Sequence, residues 1–152
     1  MTVRMIRFAA ALFAAFLLSG EAQAQAQAPK KDHRLIIQVN ESDPGKMTMA
    51  LSNMANVYEY YRKKGEPVRV ELVAYGPGLH LFRADSSPMR TRLDALKLEH
   101  DGITFTACGN TMVNMEKAEG KPVTLLPDVG VVEAGVTRIM ELQEEGWSYL
   151  RP

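Results

Sequence analysis

The sequence has very little cysteine and no excess of charge of either sign. Its 152 residues include one cysteine, Cys108, so a disulfide within the chain and a redox cycle between two of its cysteines are both excluded. Lysine and arginine together number 18, as do aspartate and glutamate. A balanced charge gives no electrostatic reason to expect binding to nucleic acid or to an anionic membrane.

The motifs of several enzyme classes are also absent. The chain contains no Walker motif, no G-x-G-x-x-G, no H-E-x-x-H and no G-x-S-x-G. These motifs mark phosphate-binding loops, dinucleotide-binding folds, zinc peptidases and serine hydrolases. The sequence therefore does not support these classes, and we predict neither a cofactor nor a resident metal.

Long apolar runs are missing except near the N-terminus. Residues 8–18 form an uninterrupted apolar run that follows Arg4 and Arg7 and precedes overlapping A-x-A sites at residues 22–28. This is the pattern of a signal peptide. A retained membrane anchor is the weaker alternative, because a spanning helix needs about 20 apolar residues.

We expect three segments along the chain: a signal peptide at residues 1–24, a disordered leader at residues 25–32 and one domain at residues 33–152. Cleavage after residue 26 or 28 is the alternative to cleavage after residue 24. The mature protein would be periplasmic or secreted. Removal of residues 1–24 takes away two arginines and one glutamate, so 18 basic and 18 acidic residues become 16 and 17. With a net charge this small, we expect neither nucleic acid nor, after processing, a membrane as a partner.

Short apolar runs alternate with longer amphipathic segments along the domain. The predicted strands are residues 34–39, 68–75, 103–107, an irregular region at 123–126 with 129–132, and 147–150. The predicted helices are residues 46–64, 88–100, 111–118 and 136–145. Helical connections of this length indicate right-handed crossovers between parallel strands. The predicted fold class is α/β, a three-layer α/β/α sandwich with a mainly parallel sheet of about five strands.

The candidate site lies where predicted strands end, since ligands of such sheets bind at the carboxyl ends of the strands. Cys108 follows the third predicted strand and precedes a helix. The first N–H groups of a helix have no intrahelical partners and stabilise a thiolate. We therefore predict that Cys108 is a nucleophile. The alternative is that Cys108 is a small buried apolar residue at the end of a core strand.

Other residues are predicted to line the same edge of the sheet as ligand-binding residues: Gly76, Pro77, Gly78, Gly109, Asn110, Thr111 and Asn53. The free N–H groups of residues 110–112 would stabilise the thiolate. Asn53 and Asn56 would hydrogen-bond the neighbouring loops, with simple exposure to solvent as the alternative. Asn110 or Thr111 could instead be the N-cap of the third helix. His80 could act as a base for Cys108, although a packing or surface role is more common for such a residue.

Four segments, in this order, resemble the DsrE/DsrF-like family over residues 33–152. They are Asn53-x-x-Asn56, residues 73–78 (VAYGPG), residues 107–112 (ACGNTM), and residues 134–136 (AGV) with 143–149 (QEEGWSY). The similarity is greatest to an exported or periplasmic subgroup. It implies a Rossmann-like α/β/α fold and assembly into trimers or hexamers. In the cytoplasmic sulfur-relay members it implies a cysteine that carries sulfur as a persulfide, and Cys108 falls on that position.

Three functional hypotheses follow. The first is a sulfur carrier, similar to a sulfurtransferase, that uses Cys108 and exchanges sulfur with a thiol or persulfide on a protein or small molecule. The second is a non-catalytic module that binds a small ligand, and the third is an oligomeric interaction protein. A remote option is Cu(I), because Cys108, Met112 and Met115 follow one another at helical spacing and soft sulfur ligands suit that ion. Methionines at this spacing more often fill gaps in a core.

Overall fold

The computed structural model describes residues 31–152. The predicted signal peptide and residues 25–30 of the predicted leader lie outside the described residues. Within the described part, no helix is long and apolar enough to cross a membrane.

The described part of the chain contains five strands that alternate with four α-helices and one 3-10 helix. In chain order they are β1 His33–Val39, α1 Pro44–Lys64, β2 Val68–Ala74, the 3-10 helix Gly76–Leu81, α2 Arg90–Glu99, β3 Ile103–Cys108, α3 Gly109–Glu119, β4 Val129–Val132, α4 Gly135–Glu144 and β5 Ser148–Leu150. All strand pairs are parallel, in the order β4-β3-β2-β1-β5. The prediction of an α/β fold with a parallel sheet of five strands is confirmed.

The path of the chain places the helices unequally on the two faces of the sheet. The steps from β1 to β4 all move in one direction, so right-handed crossovers put α1, α2 and α3 on one face. The connection from β4 to β5 returns across the sheet and puts α4 on the other. Because neighbouring strand residues point to opposite faces, Leu72 belongs to the core under α1–α3, whereas Val73 belongs to the core under α4.

Local sequence explains where the longest helix begins and ends. The Asp43 side chain accepts a hydrogen bond of 2.7 Å from the backbone N–H of Lys46, so α1 begins two residues before the predicted start. Gly65 ends the helix in the left-handed conformation, at φ 65°. Met47 and Met54 lie two turns apart on one side of α1, and both are fully buried.

Two segments differ from the sequence prediction. The tight turn expected at residues 76–78 is the first half of the 3-10 helix, whose Leu79 and Leu81 are buried. In the irregular region at 123–132, only Val129–Val132 is a strand, and Leu125 forms an isolated antiparallel bridge to Arg83. Pro127 and Asp128 separate the two parts, since proline has no N–H for a ladder and Asp128 adopts a φ of 61°.

Candidate functional site

Cys108 is the last residue of β3 and also the N-cap residue of α3. Its backbone is extended, with φ −82° and ψ 115°. The side chain points to the face covered by α4, and a Cβ atom added to Gly135 would lie 3.2 Å from the Cβ of Cys108. The thiol therefore lies where the N-termini of two helices, α3 and α4, meet.

The surroundings of Cys108 favour the thiolate. Burial, with 6% of the residue exposed, by itself raises the pKa of the thiol. The Thr111 hydroxyl and the backbone N–H groups of Gly135, Thr111 and Asn110 stabilise the negative charge and outweigh burial. The pKa of Cys108 consequently lies below that of an ordinary cysteine, and a larger fraction is ionised at neutral pH.

The backbone carbonyl of Glu133 lies beside the sulfur and limits one of these donors. It accepts a hydrogen bond of 3.0 Å from the N–H of Asn110 and lies 3.9 Å from the Cys108 Sγ, which donates to it when protonated. The prediction that the N–H of Asn110 is free to stabilise the thiolate is therefore wrong in part, because that N–H also donates to Glu133. Thr111 and Gly135 are the stronger donors to the thiolate, and the side chain of Asn110 is exposed.

Thr111 connects the thiol to the loop after β2. Its Oγ1 accepts a hydrogen bond of 3.0 Å from the N–H of Gly76, and its own hydroxyl hydrogen remains for the Cys108 sulfur. The alternative in which Asn110 or Thr111 is the N-cap of α3 is wrong, because the helix begins at Gly109 and no side chain caps it.

The glycines of the predicted site make close backbone contacts. A Cβ atom added to Gly78 would lie 2.3 Å from the carbonyl oxygen of Val39, and one added to Gly109 would lie 3.1 Å from that of Val132. Gly78 thus lets the 3-10 helix pack on the end of β1, and Gly109 lets α3 start beside β4. Pro77 is exposed at the same edge.

Two candidate residues are not brought to Cys108. Asn53 lies about two and a half turns into α1, and this helix runs away from the carboxyl edge of the sheet. Neither Asn53 nor Asn56 makes a side-chain hydrogen bond to another described residue. The Nδ1 atom of His80 lies 2.9 Å from the Oγ of Ser86, and no hydrogen bond joins His80 to Cys108.

Comparison with protein families matches residues 33–152 to the DsrE/DsrF-like family. The chain belongs to this family. Among solved structures, it is similar to the protein of unknown function MTH1491 from Methanobacterium thermoautotrophicum, with 34% identity and a TM-score of 0.67 over 80% of this chain and 100% of that one. No functionally curated protein matches. Membership in this family suggests that the chain has a fold of the sulfur-relay type.

In this DsrE/DsrF-like protein, two site residues were missed by reasoning on the sequence. The N–H of Gly135 and the carbonyl of Glu133 both contact the Cys108 sulfur, and both come from the segment between β4 and α4. The only signal in the sequence was the Ala134-Gly135-Val136 segment, which contributed to the family resemblance. A glycine at the start of a helix is a signal of close approach, because a Cβ atom on Gly135 would lie 3.3 Å from a methyl group of Val73.

An open groove lies beside the first turns of α4 and the end of β4. Its volume is about 290 Å³, and it is lined by Val132, Glu133, Ala134, Thr137, Arg138 and Glu141. Val132 is the register partner of Cys108. Another cavity, of about 190 Å³, lies between α2 and β4 and contains none of the predicted site residues. Cys108 itself does not line the groove beside α4, whereas Glu133, whose carbonyl contacts the Cys108 sulfur, does.

The sulfur atoms of Cys108, Met112 and Met115 do not converge. Both methionines pack against the core under α1–α3, whereas Cys108 faces α4. The arrangement expected for Cu(I) is therefore not formed. Among residues 31–152, no group of three or more histidine, cysteine, aspartate or glutamate side chains could hold a metal ion.

Proposed function

We propose that this DsrE/DsrF-like protein is an exported sulfur carrier that holds sulfur on Cys108 as a persulfide. The observation that carries the proposal is the placement of a lone thiol between the N-termini of α3 and α4, with the Thr111 hydroxyl and the N–H of Gly135 directed at the sulfur. These groups stabilise a thiolate, which is the nucleophilic form of cysteine.

Two thiolate exchanges complete the reaction. The Cys108 thiolate attacks the outer sulfur of a donor persulfide, an S–S bond forms on Cys108, the donor S–S bond breaks, and the donor leaves as a thiolate with the electron pair. An acceptor thiolate then attacks the outer sulfur on Cys108 and regenerates the Cys108 thiolate. No net oxidation takes place, so a second cysteine in the chain is not needed.

The groups around Cys108 suit both stages. The outer sulfur of a persulfide is also anionic, and the groove of about 290 Å³ beside Glu133 and Ala134 provides room for it. The reaction partner would be a thiol or persulfide, on a protein or on a small molecule. Since only 6% of Cys108 is exposed, we expect the reacting sulfur to enter at the end of a narrow group.

Export and oligomerisation are further parts of the proposal. The signal-peptide pattern at residues 1–24 supports a periplasmic or secreted location. A homo-oligomer, a trimer or hexamer, is supported by family membership and by exposed apolar side chains. Val131, Val136 and Met140 are each more than half exposed and belong to β4 and α4.

A loading experiment tests the proposed function. The purified mature protein is incubated with cysteine persulfide, and intact mass is measured before and after reduction. We expect one added sulfur atom on the native protein, removed by dithiothreitol, and none on Cys108→Ser. Loading should be faster for the folded protein than for the same protein in urea, because the stabilising N–H groups are assembled only on folding. A native protein that takes up no sulfur would refute the proposal.

A non-catalytic small-ligand module is the alternative with less support, because none of the described cavities singles out a particular ligand. It predicts that Cys108→Ser retains binding of any ligand found by thermal-shift screening. The persulfide proposal predicts instead that incubation with cysteine persulfide changes the melting temperature of the native protein but not that of Cys108→Ser.

A further inference from the structure

A charged pair lies under the α4 side of the site. Glu71, in the middle of β2, is 4% exposed and points toward α4. Arg138 of α4 donates hydrogen bonds to both carboxylate oxygens of Glu71, at 3.0 Å from Nε to Oε1 and 2.8 Å from Nη2 to Oε2. The Thr106 hydroxyl donates a third hydrogen bond, of 2.8 Å, to Oε1. The buried carboxylate is thus held from both the sheet and the helix.

This pair has a mechanical consequence for α4. The helix is the only one among residues 31–152 on its face of the sheet, and its apolar contacts involve a small cluster formed by Ile36, Val73, Ile139 and Leu142. Apolar contacts allow sliding and rotation, whereas a two-pronged arginine–carboxylate contact fixes both direction and distance. The Glu71–Arg138 pair therefore restricts the position of α4 along its axis more than these apolar contacts do.

The pair is close to the thiol along both elements. Arg138 follows Gly135 by three residues, about 4.5 Å along the helix axis. Thr106 precedes Cys108 by two residues on β3, so both side chains face α4 about 7 Å apart along the strand. A shift of α4 relative to β2 would accordingly displace the N–H of Gly135 from the sulfur.

We propose that Glu71 and Arg138 are positioning residues for Cys108, and that their ion pair holds the first turn of α4 against the sulfur. This inference rests on the proposed function only in taking the Cys108 thiolate as the reactive group. Neither residue contacts the sulfur, so both act through the backbone of α4.

A direct charge effect gives a different prediction. Besides this pair, the titratable side chains nearest to Cys108 on the elements packed against it are Tyr75 after β2, Glu133 before α4 and Glu141 on α4, while the first two turns of α3 carry none. If charge alone acted, loss of Arg138 would raise the pKa of the thiol, and loss of Glu71 would lower it. If position acts, either loss raises that pKa, because each breaks the same pair.

The test is the rate of Cys108 alkylation by iodoacetamide between pH 5 and 10, followed by intact mass on the mature protein. Glu71→Gln and Arg138→Gln are compared with wild type and with Arg62→Gln, which breaks an exposed ion pair on α1. We expect both site variants to shift the profile upward by about one pH unit, and so to react about tenfold more slowly at neutral pH. Arg62→Gln should match wild type.

Two outcomes would overturn the inference. Opposite shifts for Glu71→Gln and Arg138→Gln would show a through-space charge effect, and unchanged profiles in folded variants would show that the pair only stabilises the fold. Circular dichroism and urea unfolding establish that each variant is folded.

A double variant keeps the test informative if the single variants unfold. Replacing a buried ion pair by apolar residues often preserves stability, so Glu71→Met with Arg138→Met should fold. We expect the alkylation profile of this double variant to be shifted to higher pH, as in the single variants, because methionines do not fix the axial position of α4. A wild-type profile would refute the positioning role.

The same proteins separate this inference from the proposed function. If wild type takes up no sulfur but both single variants shift the alkylation profile upward, the carrier proposal fails and the positioning role stands. If wild type takes up sulfur and the alkylation profiles of both single variants coincide with that of wild type, the carrier proposal stands and the positioning role fails.

Discussion

The two faces of the sheet are held in different ways. Among residues 31–152, twenty buried apolar residues form one core under α1, α2 and α3, whereas four lie under α4. The larger face also contains the 3-10 helix, while the smaller one contains Cys108 and the pair of Glu71 and Arg138. Stability is concentrated on the first face and the candidate chemistry on the second. A helix with few apolar contacts depends more on directed polar contacts for its position.

Each face also has an arginine that fixes a helix next to Cys108. On the larger face, the guanidinium of Arg83 is 3% exposed and pairs with Asp85 and with Glu119, the last residue of α3. On the smaller face, Arg138 holds α4 near its first turn. Arg83 thus fixes α3 at its C-terminal end, whereas Arg138 fixes α4 near its N-terminal end, next to the sulfur. Substitution of Arg138 should therefore affect the thiol more directly.

The largest losses of stability should come from two matched leucines. Leu51 of α1 and Leu142 of α4 are both fully buried, one on each face. We expect Leu51→Ala to lower the free energy of unfolding by about 4 kcal/mol and Leu142→Ala by about 3 kcal/mol, because a single covering helix can relax into the space. Urea unfolding measures both. The comparison fails if Leu51→Ala changes Cys108 alkylation more than Leu142→Ala does.

A second large effect is expected at the contact between the 3-10 helix and β1. Gly78→Ala places a Cβ atom 2.3 Å from the Val39 carbonyl oxygen, so the backbone must shift, and we expect a loss of about 3 kcal/mol. The control is Gly130→Ala on β4, whose Cβ would lie 3.7 Å from the nearest described atom. That change should stay within about 0.5 kcal/mol. Equal unfolding midpoints for the two variants would contradict the close contact.

The ion pairs of Arg83 with Asp85 and Glu119 should make the free energy of unfolding depend on pH. Hydrogen bonds from Arg83 hold the pKa of Asp85 and Glu119 below their usual values of 3.8 and 4.5. Because the folded-state pKa values are lowered, the stabilisation is present above the usual values and is lost as the pH falls below them. Arg83→Gln should therefore be less stable than wild type at pH 7, with a difference that narrows toward pH 3. Urea unfolding midpoints measure this difference at each pH. A difference in stability that stays constant between pH 7 and pH 3 would show that the charges of Asp85 and Glu119 do not contribute to it.

The last prediction concerns reactivity more than stability. Thr111→Val keeps the shape but removes the hydroxyl donor to the thiolate, so the pKa of Cys108 rises and alkylation at neutral pH slows by up to about tenfold. The same change removes the acceptor of the Gly76 N–H, so we also expect a loss of about 1 kcal/mol in the free energy of unfolding. Thr111→Ser retains the hydroxyl and should stay near the wild-type rate. If Thr111→Val and Thr111→Ser react equally fast, the hydroxyl does not stabilise the thiolate.

Sequence patterns predicted most of the elements of the fold. The apolar runs of β1, β2 and β3 and the amphipathic pattern of α1 gave the correct order and type of element, because these signals depend on residues within one or two turns. The exact helix starts were less accurate: α1 begins at Pro44 because Asp43 caps it, and α3 begins at Gly109 without a side-chain cap.

The candidate site was predicted in part, for a physical reason. Cys108 and Thr111 are close in sequence and lie at one strand end, so their proximity follows from local structure. Asn53 was placed wrongly beside them, because helical periodicity identifies the side of a helix on which a residue lies but not its height above the edge of the sheet.

By itself, the sequence determined the alternation of strands and helices, the single thiol and its position at the start of a helix, since each depends on neighbouring residues. Only the tertiary structure decided that α4 is the one helix of residues 31–152 on its face, that Gly135 contacts the sulfur, and that Glu71 pairs with Arg138. Those contacts join residues far apart in the chain. They exist because the last crossover returns across the whole sheet, and no local pattern encodes which side chains it brings together.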